Sequence, residues 1–173
     1  IPDFGGGMEV ELHGISVTYP GRDKPALREL SFQMEKGGIH ALAGRNGAGK
    51  STLAALLLGF AAPQQGTILV NDCPLEEYSL EDWRRVVAWV PQKPYLFHAS
   101  LADNIRLGRP EAGMAEVAKA AALARLNTFI ENLPRGYDTM IGEKGARLSG
   151  GQARRVSIAR AFLMDRPLLV MDE

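Results

Sequence analysis

One cysteine in 173 residues, Cys73, leaves no partner for an internal disulfide and no Cys/His spacing that would hold a metal cluster. That usage fits a reducing compartment. The three histidines, His13, His40 and His98, are scattered, so a histidine-based centre is not expected. Charge of one sign is also missing: twenty Lys and Arg balance twenty Asp and Glu. A net charge of zero gives no long-range attraction to nucleic acid or to an anionic membrane surface, so any polyanion must be met by local groups. The longest nearly apolar stretch, residues 53–62, includes Gly59 and falls well short of the roughly 20 residues a membrane-crossing helix needs. An initiator methionine is absent too. The chain opens on Ile1 and runs at once into Gly5-Gly6-Gly7, which reads as a flexible lead-in to which further residues upstream would attach.

What is present suffices for one globular domain: 46% of the residues are hydrophobic, and the length fits the prior of about 100 to 200 residues per domain. Residues 8–19 and 27–34 alternate apolar and polar and are separated by Pro20-Gly21 and Pro25, as paired antiparallel edge strands would be. Residues 39–43 form a short apolar strand, 50–58 a buried helix closing at Gly59, and 67–70 and 86–90 two further strands. Between residues 100 and 165, Ala- and Leu-rich patterns predict helices at 101–107, 114–126 and 152–164. Residues 168–171 return to the continuous apolar character of a central strand covered on both faces. The pattern is α/β with an inserted helical part.

Gly44-Arg45-Asn46-Gly47-Ala48-Gly49-Lys50-Ser51 meets the phosphate-loop pattern G-x-x-x-x-G-K-[ST]. Its glycines let backbone N–H groups fold around phosphate oxygens, Lys50 supplies a cation for the outer phosphates, and Ser51 offers a hydroxyl to Mg2+. The helix that starts there adds the partial positive charge of its N-terminus. A second motif, Leu148-Ser149-Gly150-Gly151-Gln152, also precedes a helix, with Ser149 near its N-cap, and reads as a second anion-binding start. The two cannot easily serve one phosphate group within a single molecule, which points to an ATPase that works as a dimer.

With these motifs, and Asp172-Glu173 after an apolar strand, the chain resembles the nucleotide-binding domain of an ATP-binding cassette (ABC) protein. The resemblance implies a P-loop NTPase core with an antiparallel β subdomain and an inserted helical subdomain at about residues 93–165. It makes residues 8–173 a nucleotide-binding domain cut short at its C-terminal end, and residues 1–7 a linker from a membrane domain upstream. Two such domains face each other head to tail in that family, so the P-loop of one and the signature of the other enclose one ATP. The implied nucleotide contacts are Tyr19, at the aromatic position that stacks on adenine, then Arg45, Asn46, Gly47, Ala48, Gly49, Lys50, Ser51, Thr52, Gln92, Ser149, Gly150, Gly151 and Gln152. Ser51, Gln92 and Asp172 would serve Mg2+. Glu173, with Gln92, would act on the water that attacks the γ-phosphate.

Two segments resemble exporters: Thr139-Met140-Ile141-Gly142-Glu143-Lys144-Gly145, and the run from Pro94 to Ile105. Around Trp83 and Trp89, and over Leu133-Pro134-Arg135-Gly136-Tyr137-Asp138-Thr139, the chain looks most like the CydD-type subunit of a cysteine/glutathione exporter, whose partner would be CydC-type. The implied setting is the cytoplasmic face of the inner (plasma) membrane, with a transmembrane domain and a second nucleotide-binding domain, identical or not, as partners and no nucleic acid. Exporters of lipid, peptide or drug, or a soluble ABC ATPase, are the alternatives. Taken as it stands, the chain is expected to fold marginally and to hydrolyse little ATP. Arg154, Arg155 and Arg160 read as a solvated basic face or subunit contact, and Cys73 as an inert loop thiol.

Overall fold

The alternation along the first strand changes phase part-way, and the sheet explains it. A computed structural model, describing residue 4, residues 7–142 and residues 148–172, places β1 (Val10–Val17) between β2 (Leu27–Met34) and β3 (Gln65–Val70), with β4 (Cys73–Pro74) beyond β3. All pairings are antiparallel. Leu12 pairs with Phe32 and Ile15 with Leu30, so β1 carries one extra residue between them, and the same excess recurs against β3. Such a bulge reverses which residues face inward. Val10 and Leu12 are buried before it, Ile15 and Val17 after it.

The chain divides into two compact units, Ile1–Val87 and Ala88–Glu173. In the first, α1 (Lys50–Leu57) buries Leu53, Leu56 and Leu57, and α2 (Leu80–Val86) buries Trp83 and Val86. The Trp83 indole donates to the Leu57 carbonyl at 2.8 Å, which satisfies the one polar atom of a ring that is 1% exposed. Ser79 starts α2 by accepting from the Asp82 N–H, and Arg84 and Arg85 close it where its dipole favours cations.

Residues 39–43, expected as a strand, have no regular structure. Ile39 is 99% and Leu42 55% exposed. Apolar character favours a strand only where a neighbouring strand supplies a ladder, and among the described residues none pairs with this segment.

In the second unit β5 (Val87–Val90), which starts on the last residue of the first, pairs with β8 (Leu168–Met171). β8 is less covered than its apolar sequence suggests: only Val170 is buried, and Leu169 and Met171 are exposed. β5 is its one partner among the described residues, and a strand with a single neighbour keeps little of the two-sided cover its apolar sequence suits. Between them lie β6 (Ala99–Ser100), α3 (Leu101–Arg106), α4 (Met114–Leu123), α5 (Asn127–Glu131), β7 (Met140–Ile141) and α6 (Gly150–Met164). Leu101, Ile105, Val117, Leu126, Ile141, Val156 and Leu163 fill their shared core. α4 ends earlier than its Ala/Leu pattern predicts, because Arg125 turns into the left-handed region and Leu126 plugs the core instead of extending the helix. Among the described residues no helix is long and apolar enough to cross a membrane. Of the expected features, the lead-in residues 1–3, 5 and 6, the Glu143–Lys144–Gly145 part of the exporter-like segment, and Glu173 lie outside the described residues.

Replacing Trp83 by Ala removes a buried ring and is expected to destabilise the domain by about 3 to 5 kcal/mol in denaturant unfolding. Trp83→Phe, which keeps most of the ring but orphans the Leu57 carbonyl, should cost about 1 to 3 kcal/mol.

Candidate nucleotide-binding site

Three helices here open on a serine whose hydroxyl accepts a first-turn N–H: Ser79 for α2, Ser100 for α3 and Ser149 for α6. α1 differs. Its N-cap is Gly49, no side chain caps it, and no acidic residue stands in its first turn. Gly49 sits at φ 87°, and an added Cβ would come within 2.4 Å of the Ala26 carbonyl oxygen and 2.6 Å of Leu27 Cδ2. Conformation and space therefore both demand glycine. The consequence is a helix start whose N–H groups and dipole, among the described residues, meet neither a capping side chain nor an acidic residue of the first turn.

Lys50 extends across this loop. Its ammonium donates to the carbonyls of Gly44 at 2.7 Å and Arg45 at 3.0 Å, which uses two of its three donors and holds the loop's first residues near the helix. The Ala48 N–H closes a turn onto the Arg45 carbonyl at 3.1 Å, with Asn46 and Gly47 at its tip. Tyr19, 40% exposed, reaches the same turn of α1 by donating to Thr52 Oγ1 at 3.3 Å, while Thr52 itself is buried. Ser51, one residue earlier, is exposed. In this unit the structure thus gathers the expected aromatic, cation, hydroxyl and backbone donors at one helix start, an arrangement that fits a nucleoside triphosphate.

In the second unit the Asp172 N–H donates to the Val90 carbonyl at 3.0 Å, so the C-terminal ends of β5 and β8 meet. This brings Asp172 beside the Pro91-Gln92 turn, where Gln92 is exposed. No group of three or more His, Cys, Asp or Glu able to hold a metal occurs among the described residues. A hard cation such as Mg2+ needs few protein ligands when phosphate oxygens complete its shell, and the oxygen groups of Ser51 in the first unit and of Gln92 and Asp172 in the second are each of a chemistry it accepts.

The second motif is built differently from the first. Ser149 Oγ accepts from the Gln152 N–H at 3.2 Å and Gln152 Oε1 accepts from the Ser149 N–H at 2.8 Å, a reciprocal capping box. Both side chains already have partners, which leaves the exposed Gly150 and Gly151 backbone as the less committed donors of this helix start.

Arg160 was not legible as more than a surface cation, and the structure corrects that. It is half-buried and donates to Asn104 and to the Tyr95 carbonyl, and burial lowers its pKa from the ordinary arginine value. The signal in the sequence was indirect: Asn104 falls on the apolar face of Leu101 and Ile105, where a polar residue needs partners. Arg155, by contrast, stays exposed and donates to the Arg125 carbonyl at 3.3 Å. The Cys73 thiol donates to Glu77, and its pKa is pushed up by burial and by that carboxylate, which fits an unreactive thiol.

Comparison with known proteins decides the family. The ABC transporter family matches residues 27–173. The chain belongs to the ABC transporter family. It is similar to the ATP-dependent lipid A-core flippase of Pseudoalteromonas atlantica, 45% identical over 166 residues, covering 95% of this chain and 28% of that protein. The multidrug resistance-like ATP-binding protein MdlA of Escherichia coli is 40% identical over 173 residues, covering 100% of this chain and 29% of that one. A solved bacterial Atm1-family ABC exporter with ATP bound superposes with a TM-score of 0.89 at 40% identity, over 96% of this chain and 29% of its own. The chain therefore spans under a third of these relatives and has the ABC ATPase fold. The resemblance to a CydD-type subunit finds no support in them, and a CydC-type partner falls with it. A physical reason is visible at Trp83, one of the residues that suggested it: this ring is a core plug bonded to Leu57, a packing feature that carries no information on cargo.

Tyr19→Ala should weaken ATP binding by about 1 to 3 kcal/mol if the ring stacks on a base. Tyr19→Phe, which loses only the Thr52 contact, should change the affinity by less than about threefold, since that is one neutral hydrogen bond of partly exposed groups. Equilibrium binding of ATP to the two variants checks both expectations.

Proposed function

We propose that this chain is the ATP-hydrolysing domain of an ABC exporter that moves a lipid-like amphiphile. The observation that carries the reading is the start of α1: a glycine-enforced, uncapped helix N-terminus with Lys50 spanning its loop and Tyr19 held to its first turn. Backbone N–H groups of Gly47 to Ser51 would receive the phosphates, Lys50 would turn its remaining donor to the outer ones, and Tyr19 would stack on the base. Ser51, Asp172 and Gln92 would serve Mg2+, which when bound would supply charge neutralisation at the phosphate oxygens. Gln92 would orient the attacking water and Glu173 would accept its proton as ADP and phosphate separate; phosphoryl transfer depends mainly on such positioning and electrostatics.

The Gly150–Gly151 backbone of a second ATPase domain would close over the nucleotide, and opening after hydrolysis would be passed to a transmembrane domain at the cytoplasmic face of the inner membrane. The flippase relatives support a lipid cargo over cysteine or glutathione. In the full-length protein, Glu173→Gln should cut steady-state hydrolysis at least about a hundredfold and accumulate an ATP-bound dimer. Turnover at the native rate would remove Glu173 from the proton-accepting role. In lipid vesicles, native ATPase should be stimulated by a lipid A-type amphiphile and not by glutathione; the reverse would restore the thiol reading.

A further inference from the structure

The carboxamide of Asn104, which is fully buried, joins three segments distant in sequence. Its Oδ1 accepts from the Phe97 N–H at 2.9 Å and from an Arg160 guanidinium nitrogen at 2.8 Å, and its Nδ2 donates to the carbonyls of Phe97 at 2.9 Å and Ser100 at 3.0 Å. Arg160 makes two more bonds of 2.7 Å, to the Asn104 and Tyr95 carbonyls. The guanidinium is thus spread over three acceptors in a planar fork that lysine cannot reproduce. From the other side, Ala99 and Ser100 pair with Ile141 and Met140, and the Leu101 N–H donates to the Thr139 carbonyl at 3.0 Å. Gly142 packs so closely that a Cβ there would lie 2.6 Å from the Phe97 oxygen, at φ +96°.

On the outer side of this joint stand Tyr95 and Phe97, edge to face at 4.8 Å and 58% and 51% exposed. On its inner side is α6, whose Val156, Ala159 and Leu163 are locked in the helical core. Arg160 lies eleven residues after Ser149, about 16 Å of helix at 1.5 Å per residue. A helix anchored along that length transmits displacement of one end to the other as a rigid body.

We propose that Arg160 is the positioning residue that makes the segment from Tyr95 to Ser100, just downstream of Gln92, move as one body with the signature helix. Nucleotide engaged at the Ser149 end of α6 is then reported at the Tyr95–Phe97 pair through Arg160 and Asn104. The inference rests on the ATPase reading above.

Hydrogen exchange on the full-length protein, with and without MgATP, tests it at two sites: residues 44–52, the phosphate loop, and residues 95–104. In the native protein MgATP should slow exchange at both. In Arg160→Lys the response at 44–52 should stay within about twofold of native, while that at 95–104 should fall to less than about a third. Arg160→Ala should do the same more strongly. A full response at 95–104 in both variants overturns the proposal, as does a native protein that protects 44–52 and not 95–104. Loss at both sites in both variants also overturns it, since Arg160 would then only hold the fold together. No response at 44–52 in the native protein would instead refute the ATPase reading and this inference with it.

Discussion

The backbone N–H groups at the start of α1 are the donors on which the nucleotide reading depends, and they stay available because no side chain among the described residues caps them. Gly49 secures this twice over: its left-handed turn bends the loop away from the helix, and its missing side chain lets the Ala26 carbonyl approach. Lys50, tied to Gly44 and Arg45, and Tyr19, tied to Thr52, are then held around one point in space. An anion placed there would meet partial positive charge, a full positive charge and directed hydrogen bonds without rearrangement of the fold.

α6 shows the opposite solution to the same end-of-helix problem. Its serine and glutamine satisfy each other, so the signature start is stable without a ligand and offers mainly the N–H groups of two exposed glycines. A strong site and a pre-satisfied one suit a division of labour in which one helix start takes the nucleotide and the other closes over it from a second molecule. Eleven residues further along α6, Arg160 ties the same helix to the loop beyond Gln92, so on the proposed reading the link lies on the element that would close.

Much of this was legible in the sequence because it rests on local rules. The phosphate loop, the serine before α6 and the alternation of β1 follow from glycine freedom, cap chemistry and side-chain period. What escaped depends on partners distant in the chain. Residues 39–43 have strand composition, but a strand exists only with a ladder, and composition does not say which neighbour supplies it. α2 has seven residues, too few for a helical period to emerge, although Ser79 and Asp82 carry its cap. Arg160 looks like any other surface arginine until Asn104 is seen beneath it, and of the capping box of α6 only the serine half is legible, not the return bond to Gln152.

On the proposed reading α1, not α6, is the chain's own ATP site. The most direct test is the equilibrium binding of ATP to the full-length protein without divalent cation, comparing Lys50→Ala with Ser149→Ala. Loss of a charge-assisted contact at α1 should weaken binding at least about tenfold, whereas Ser149→Ala, at a helix start that would engage nucleotide only from a second molecule, should change it less than about twofold. Equal losses in the two variants, or a larger one in Ser149→Ala, would contradict the account.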